Sequence, residues 1–283
     1  PGLLSPDMPL DQRWDDGGSL NFDSEILDQT LPIFGAPLLE LALTSDRPTG
    51  VLAVRLSDVS PSGEVTRVTY GLLNLSHRNS HHDPQPMDAG KLYIVRIAMN
   101  GIGYTFPPGH RIRLSVSTAY WPIAFPAPGR ATLTIKAEAS ALHLPIRMPQ
   151  PGDEQLQPFA PVEISSPMPS TVLEPGKVER FVQIDPVAKQ VTVTLKRDNG
   201  SIGLDGIGTI VGLKKHITYA VAENDPTTAR TEVYYRFELG RGEWQTAVAA
   251  RTVMTASKST FHLQVDLDAY AKRERIFCRS WSK

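Results

Sequence analysis

Short runs that alternate apolar with polar residues, each closed by a turn cluster, set the tightest limit on what this chain can fold into. "LLELALTS" (38–45), "VLAVRLSDV" (51–59), "VTRVTYGLLNL" (65–75), "KLYIVRIAM" (91–99), "RIRLSVST" (111–118) and "ATLTIKA" (131–137) are rich in Val, Ile, Leu and Thr. "SDRPTG", "SPSGE" and "DPQPMDAG" separate them. A period of two puts alternate side chains on opposite faces, which is the pattern of half-buried strands. No helical pattern intervenes, so the runs predict an antiparallel β-sandwich.

A proline-dense stretch, 149–176, reads as an extended connector, because proline cannot donate to a central ladder. Strand patterns resume at 178–184, 190–197, 216–222, 232–239, 244–257 and 260–267, and the terminal "RIFCRSW" alternation reads as an edge strand. "VTLKRDNGSIG" reads as a hairpin turning at Asn199-Gly200. The expected organisation is a linker (1–14) leaving an upstream domain, a sandwich (15–148), the connector, and a second β region (177–283). That region is either a separate subdomain or an extension of the sandwich. The opening lacks an initiator Met and a signal-peptide pattern, so the chain reads as a fragment.

The 283 residues carry a formal net charge of −1. That balance gives no electrostatic case for nucleic acid or an anionic membrane as partner. No apolar run approaches the roughly 20 residues needed to cross a bilayer. A single cysteine, Cys278, rules out an internal disulfide and a cysteine-based zinc cluster, with a lean to the cytoplasm.

A search for chemistry gives no catalytic residue. No Gly-x-Ser-x-Gly elbow occurs, and "GSIG" (200–203) is one residue short of it. Ser115 and Ser117 alternate with Leu114 and Val116, so they face away from the core on a regular strand, without gathered oxyanion donors. "SHRNSHHD" offers His77, His81, His82 and Asp83, but at loop spacing; it reads as a solvated loop, with a metal-dependent enzyme as the sharper rival. Asp15, Asp16, Asn21 and Asp23 lack the EF-hand spacing and read as a turn before a strand around 20–22. "NGIGYTF" (100–106) and "NGSIGLDGIG" (199–208) open no helix, so they read as turns or bulges rather than phosphate loops. No metal and no cofactor is expected. Tyr104, Phe106, Tyr120, Trp121 and Phe125 form the most aromatic neighbourhood, suited to packing, to a domain interface or to a ligand platform.

"LTSDRPTGVLAVRLSDVSPSGEVTRVTYGLLNLSHR" followed by "PMDAGKLYIVRIAMNGIGYTFPPGHRIRLSVSTAYWP" resembles the C-terminal domain of X-Pro dipeptidyl-peptidases, also found in cocaine esterase and α-amino-acid ester hydrolases. The order and spacing of motifs match over 15–137. The later part, with "YAVAENDPTTARTE" and "FCRSW", resembles the extended C-terminal region of larger bacterial members less closely. The resemblance implies a jelly-roll, galactose-binding-like sandwich, followed here by further antiparallel β structure. It also implies an upstream α/β-hydrolase domain that carries the Ser, Asp and His triad. The sandwich packs on that domain in the family and helps shape access to its active site.

Within "PPGHRIRL", Pro108 stiffens the approach and Gly109 supplies a positive φ. His110 satisfies loop polar groups, while Arg111 and Arg113 share one strand face and fork to a neighbouring strand or domain. The expected role of this motif is structural. A free-standing jelly-roll module binding carbohydrate through Tyr120 and Trp121 is the alternative, and a homo-oligomer stays open.

Overall fold

The computed structural model of the chain describes Leu10–Lys283. Two compact units divide at Pro158/Phe159. Each is antiparallel β, as the alternation requires. No helix among the described residues is long and apolar enough to cross a membrane.

The first unit holds β1 (Leu20–Asp23), β2 (Leu31–Gly35), β3 (Leu38–Ser45), β4 (Val51–Val59), β5 (Val65–Asn74), β6 (Tyr93–Ala98), β7 (Ile102–Phe106), β8 (Arg111–Ser117), β9 (Leu133–Ile135) and β10 (Ala141–His143). One sheet runs β1-β8-β4-β5, and a second runs β10-β3-β6 with β9 also on β3. β2 and β7 form a separate pair. Leu39, Leu41, Leu43, Val95 and Ile97 from the second sheet share one core with Leu52, Val54, Leu56, Leu114 and Val116 from the first. Each fully buried Leu or Val contributes about 1.5–3 kcal/mol of transfer free energy, which makes this layer the main source of stability.

Two expectations change here. "NGIGYTF" does not turn: Ile102–Phe106 is β7, paired with Leu31–Gly35. Gly103 is suited to that strand because an added Cβ would meet the Phe34 ring at 3.3 Å. Of the expected linker, residues 1–9 lie outside the described residues. The rest is bonded to the sandwich: Asp11 bridges to Thr66, and Gln12, 2% exposed, donates its N–H to the Val65 carbonyl.

The second unit is one sheet built from β11 (Ser170–Glu174), β12 (Lys177–Asp185), β13 (Gln190–Leu204), β14 (Thr209–Ala222), β15 (Asp225–Arg241), β16 (Trp244–Ala256), β17 (Phe261–Ala271) and β18 (Glu274–Ser282). The order is β11-β13-β14-β15-β16-β17-β18, with β12 also on β13. β11 therefore lies inside the stretch expected to be connector. The terminal run is an edge strand. The expected hairpin at Asn199-Gly200 is absent, because β13 runs straight through it with a bulge between Asp198 and Ser201. β12 pairs before the bulge and β11 after it, so Gly200 serves the crossing of two strands rather than a turn.

Candidate functional site

The Pro-Pro-Gly lead-in ends at Gly109, whose φ of +82° lets the chain turn ahead of β8. Its N–H donates to the Leu27 carbonyl at 2.7 Å, and the Leu27 N–H donates to the His110 carbonyl at 2.9 Å. These two bonds fix His110 beside the end of β4. There its Nδ1 lies 2.7 Å from Asp58 Oδ1, and a carboxylate acceptor puts the proton on Nδ1. The other carboxylate oxygen accepts from the Tyr104 hydroxyl at 2.7 Å. Asp58 is only 5% exposed, on the same strand face as Val54 and Leu56. Burial first, and then the Asp58 carboxylate, push the Tyr104 hydroxyl well above the usual phenol range.

A His–Asp pair is the base half of a nucleophilic triad, and the nucleophile has to reach the ring's second nitrogen. Among the described residues no serine hydroxyl bonds His110. Ser115 Oγ donates to Asp16 Oδ1 at 2.9 Å, and Ser117 Oγ donates to the Ala119 carbonyl at 2.9 Å. Ser115 does face away from the apolar core, yet it is 1% exposed rather than open to water. The arrangement can hold a turn and a strand end together; it assembles no acyl-transfer machinery.

The second face of β8 explains that burial. Arg113 forks onto Asp23 of β1, Nε to Oδ1 at 2.6 Å and NH2 to Oδ2 at 2.7 Å, and reaches Asp16 with NH1 at 3.1 Å. Arg111 donates to the Ser24 carbonyl at 2.7 Å. Arg55 of β4, 3% exposed, donates to Asp16 at 3.0 Å, to Ser19 at 3.0 Å and to Gln12 at 3.3 Å. Asp16 and Asp23, two members of the acidic cluster, are thus neutralised by arginines. The cluster shapes a helical turn (Arg13–Asp16) before β1, and Asn21 donates to the Asp16 carbonyl at 2.9 Å. The hydrogen bond from Arg113 holds the Asp23 carboxyl below its ordinary value, and Asp23 in turn raises the Arg113 guanidinium.

The aromatic residues do not share one surface. Phe106 is fully buried in the core, in edge contact with Tyr104 at 5.0 Å between centroids, so it meets neither ligand nor partner. Tyr120 accepts from Arg67 at 2.5 Å and packs edge-on against Tyr70 at 5.3 Å. Trp121 packs edge-on against Phe125 at 5.1 Å. Tyr104 lines an apolar groove, of about 620 Å³, together with Pro32, Ile33, Phe34 and Leu156. Phe34 is 68% exposed and Leu156 73%. Arg147 and Asp153 also line it, joined by two hydrogen bonds of 2.9 and 2.5 Å that hold the Asp153 carboxyl down to about 2.

His77 and His81 lie 5.5 Å apart between ring centroids, and His81, His82 and Asp83 are exposed. Among the described residues no group of three or more His, Cys, Asp and Glu is placed to hold a metal ion.

The residue that sequence reading passed over is Asp58. Its signal lies in the alternation of "VLAVRLSDV", which puts an acid on the face occupied by Val54 and Leu56. A carboxylate on an apolar face needs fixed donors, and here they are His110 and Tyr104.

A family described as the X-Pro dipeptidyl-peptidase C-terminal non-catalytic domain matches residues 3–155. Cocaine esterase of Rhodococcus sp. (strain MB1 Bresler) is 29% identical over 116 residues, which are 40% of this chain and 20% of that protein. The chain thus spans a small part of the curated relatives it matches. Among solved structures, an α-amino acid ester hydrolase is similar at 25% identity and a TM-score of 0.46, over 49% of this chain and 27% of that one. An aminopeptidase from a marine sediment archaeon, Thaumarchaeota archaeon, is similar at 21% identity and a TM-score of 0.47, over 50% and 28%.

Proposed function

Because the chain belongs to the X-Pro dipeptidyl-peptidase C-terminal non-catalytic domain family, we propose that its sandwich packs on an upstream α/β-hydrolase domain of the same polypeptide and shapes access to that domain's active site. The parent enzyme, on this reading, is a serine hydrolase of esters or X-Pro peptides. The observation that carries the reading is the groove bearing the exposed Phe34 and Leu156 beside Tyr104. Contiguous exposed apolar surface on a domain marks an interaction site, and contacts between domains of one chain are of this kind. The motif Pro108, Gly109, His110, Arg111 and Arg113 has a structural part in this reading. It holds Asp58, and through Asp58 the Tyr104 ring, against the groove.

The test is made in the complete polypeptide. Phe34→Asp combined with Leu156→Asp lowers ester or X-Pro peptide turnover and the thermal midpoint of the whole enzyme, while residues 1–283 carrying the same changes unfold as the unaltered chain does. Turnover and midpoint both unchanged in the complete enzyme overturn the reading.

A further inference from the structure

The second sheet sorts its side chains by face, because residues paired across antiparallel strands share one. One row across β13, β14 and β15 reads Arg197, Lys215 and Tyr235. The next row reads Leu213, Phe237 and Val248, and the one beyond holds Val211 and Leu239. Among the described residues, every Asp and Glu at a paired strand position lies on the opposite face, except Glu274 at the β17–β18 turn. Over there the carboxylates are already matched, Glu232 by Arg230 and Arg251, Glu238 by Arg236 and Asp268 by Arg275.

Lys215 is therefore a partly buried lysine on a largely apolar face whose one paired acid, Glu274, stands at the far β17–β18 edge. None of the ion pairs of this sheet among the described residues involves Lys215. A lysine lays its apolar stem along such a surface and keeps its ammonium accessible, so the position offers a fixed cation beside apolar side chains. From Lys215 to the Trp244 end of the face is three rows of two residues, about 20 Å along the strands. Phe237 and Leu239 are partly open along that path, and Val248 is 43% exposed. What completes such a face has one anionic head and a long apolar tail.

We propose that this face binds a long-chain carboxylate. The head group takes the Lys215 ammonium and the Tyr235 hydroxyl, which is on a ring 40% exposed in the same row. The chain lies over Leu213, Phe237, Val248 and Leu239. The inference stands apart from the role of the sandwich, since every residue in it belongs to the second unit.

The experiment titrates residues 1–283 with dodecanoate below its micelle concentration, by calorimetry and by displacement of a fluorescent fatty acid. Saturable one-site binding is expected, and Lys215→Glu weakens it by about ten-fold or more, the effect of losing a charge-assisted hydrogen bond. Lys215→Met preserves the fold in case the charge reversal does not. It weakens dodecanoate while leaving dodecanol unchanged. Absence of saturation, equal affinity for dodecyltrimethylammonium, or dodecanoate binding unmoved by Lys215→Met each overturns the proposal. Binding to phosphatidylglycerol vesicles without binding of monomeric dodecanoate also overturns it, and assigns the face to a membrane surface instead.

Discussion

Asp58 Oδ1 lies 2.7 Å from His110 Nδ1, on a strand face otherwise given to the core. The pair joins the turn before β8 to the end of β4, and the Tyr104 hydroxyl closes the group on the other oxygen. Asp58→Ala leaves two donors without their acceptor and is expected to destabilise the chain by about 2–4 kcal/mol. Tyr104→Phe leaves the buried Asp58 Oδ2 without its donor, for about 1–3 kcal/mol. Urea unfolding of the single and double variants measures both. The two losses are expected to be non-additive, because the residues share one carboxylate.

The pH dependence has two limbs with opposite signs. Asp23 is held below its ordinary value by Arg113, so its contribution is complete above about pH 4 and falls away as pH drops through the depressed folded value. Tyr104 is raised, so its contribution is complete below about pH 10 and is lost as pH climbs through the raised folded value. Unfolding free energy measured against pH is expected to lose part of its acid slope in Asp23→Asn and part of its alkaline slope in Tyr104→Phe.

Ser115 and Ser117 look alike in sequence and differ in consequence. Ser115→Ala takes a bond from Asp16, which is buried between Arg55 and Arg113, and is expected to cost about 1–2 kcal/mol. Ser117→Ala is expected to fall within about 0.5 kcal/mol of the parent, as its bond to Ala119 is exposed. Thermal unfolding of the two variants separates them.

In the second unit the sharpest test is Gly200→Ala. The residue has a φ of +66°, and an added Cβ would meet the Glu174 carbonyl oxygen at 2.0 Å. The change is expected to separate β11 from β13 and to cost more than about 2 kcal/mol. Hydrogen exchange at Val172 and Ile202, which pair across that junction, reports it directly.

Strands with a clean alternation, such as Leu38–Ser45 and Val51–Val59, were legible to the residue because one face of each is a row of Leu and Val. β7 was not, since its glycines mimic a turn and its strand character comes from the pairing with Leu31–Gly35, far off in sequence. β14 and β15 extend to 14 and 17 residues, beyond their apolar segments, through Gly212 and Pro226. Ladder bonds and bulges hold those ends, and neither leaves a local signal. The site was half legible. "PPGHRIRL" points to a turn and a forked arginine pair, but the partners of its side chains, Asp58 and Asp23, sit 52 and 90 residues away.

The most direct measurement of the central claim is hydrolysis of p-nitrophenyl acetate by residues 1–283 alone. A chain whose part is to pack against and shape a separate catalytic domain gives no rate above the buffer. Saturable turnover that Ser115→Ala or Ser117→Ala abolishes contradicts it.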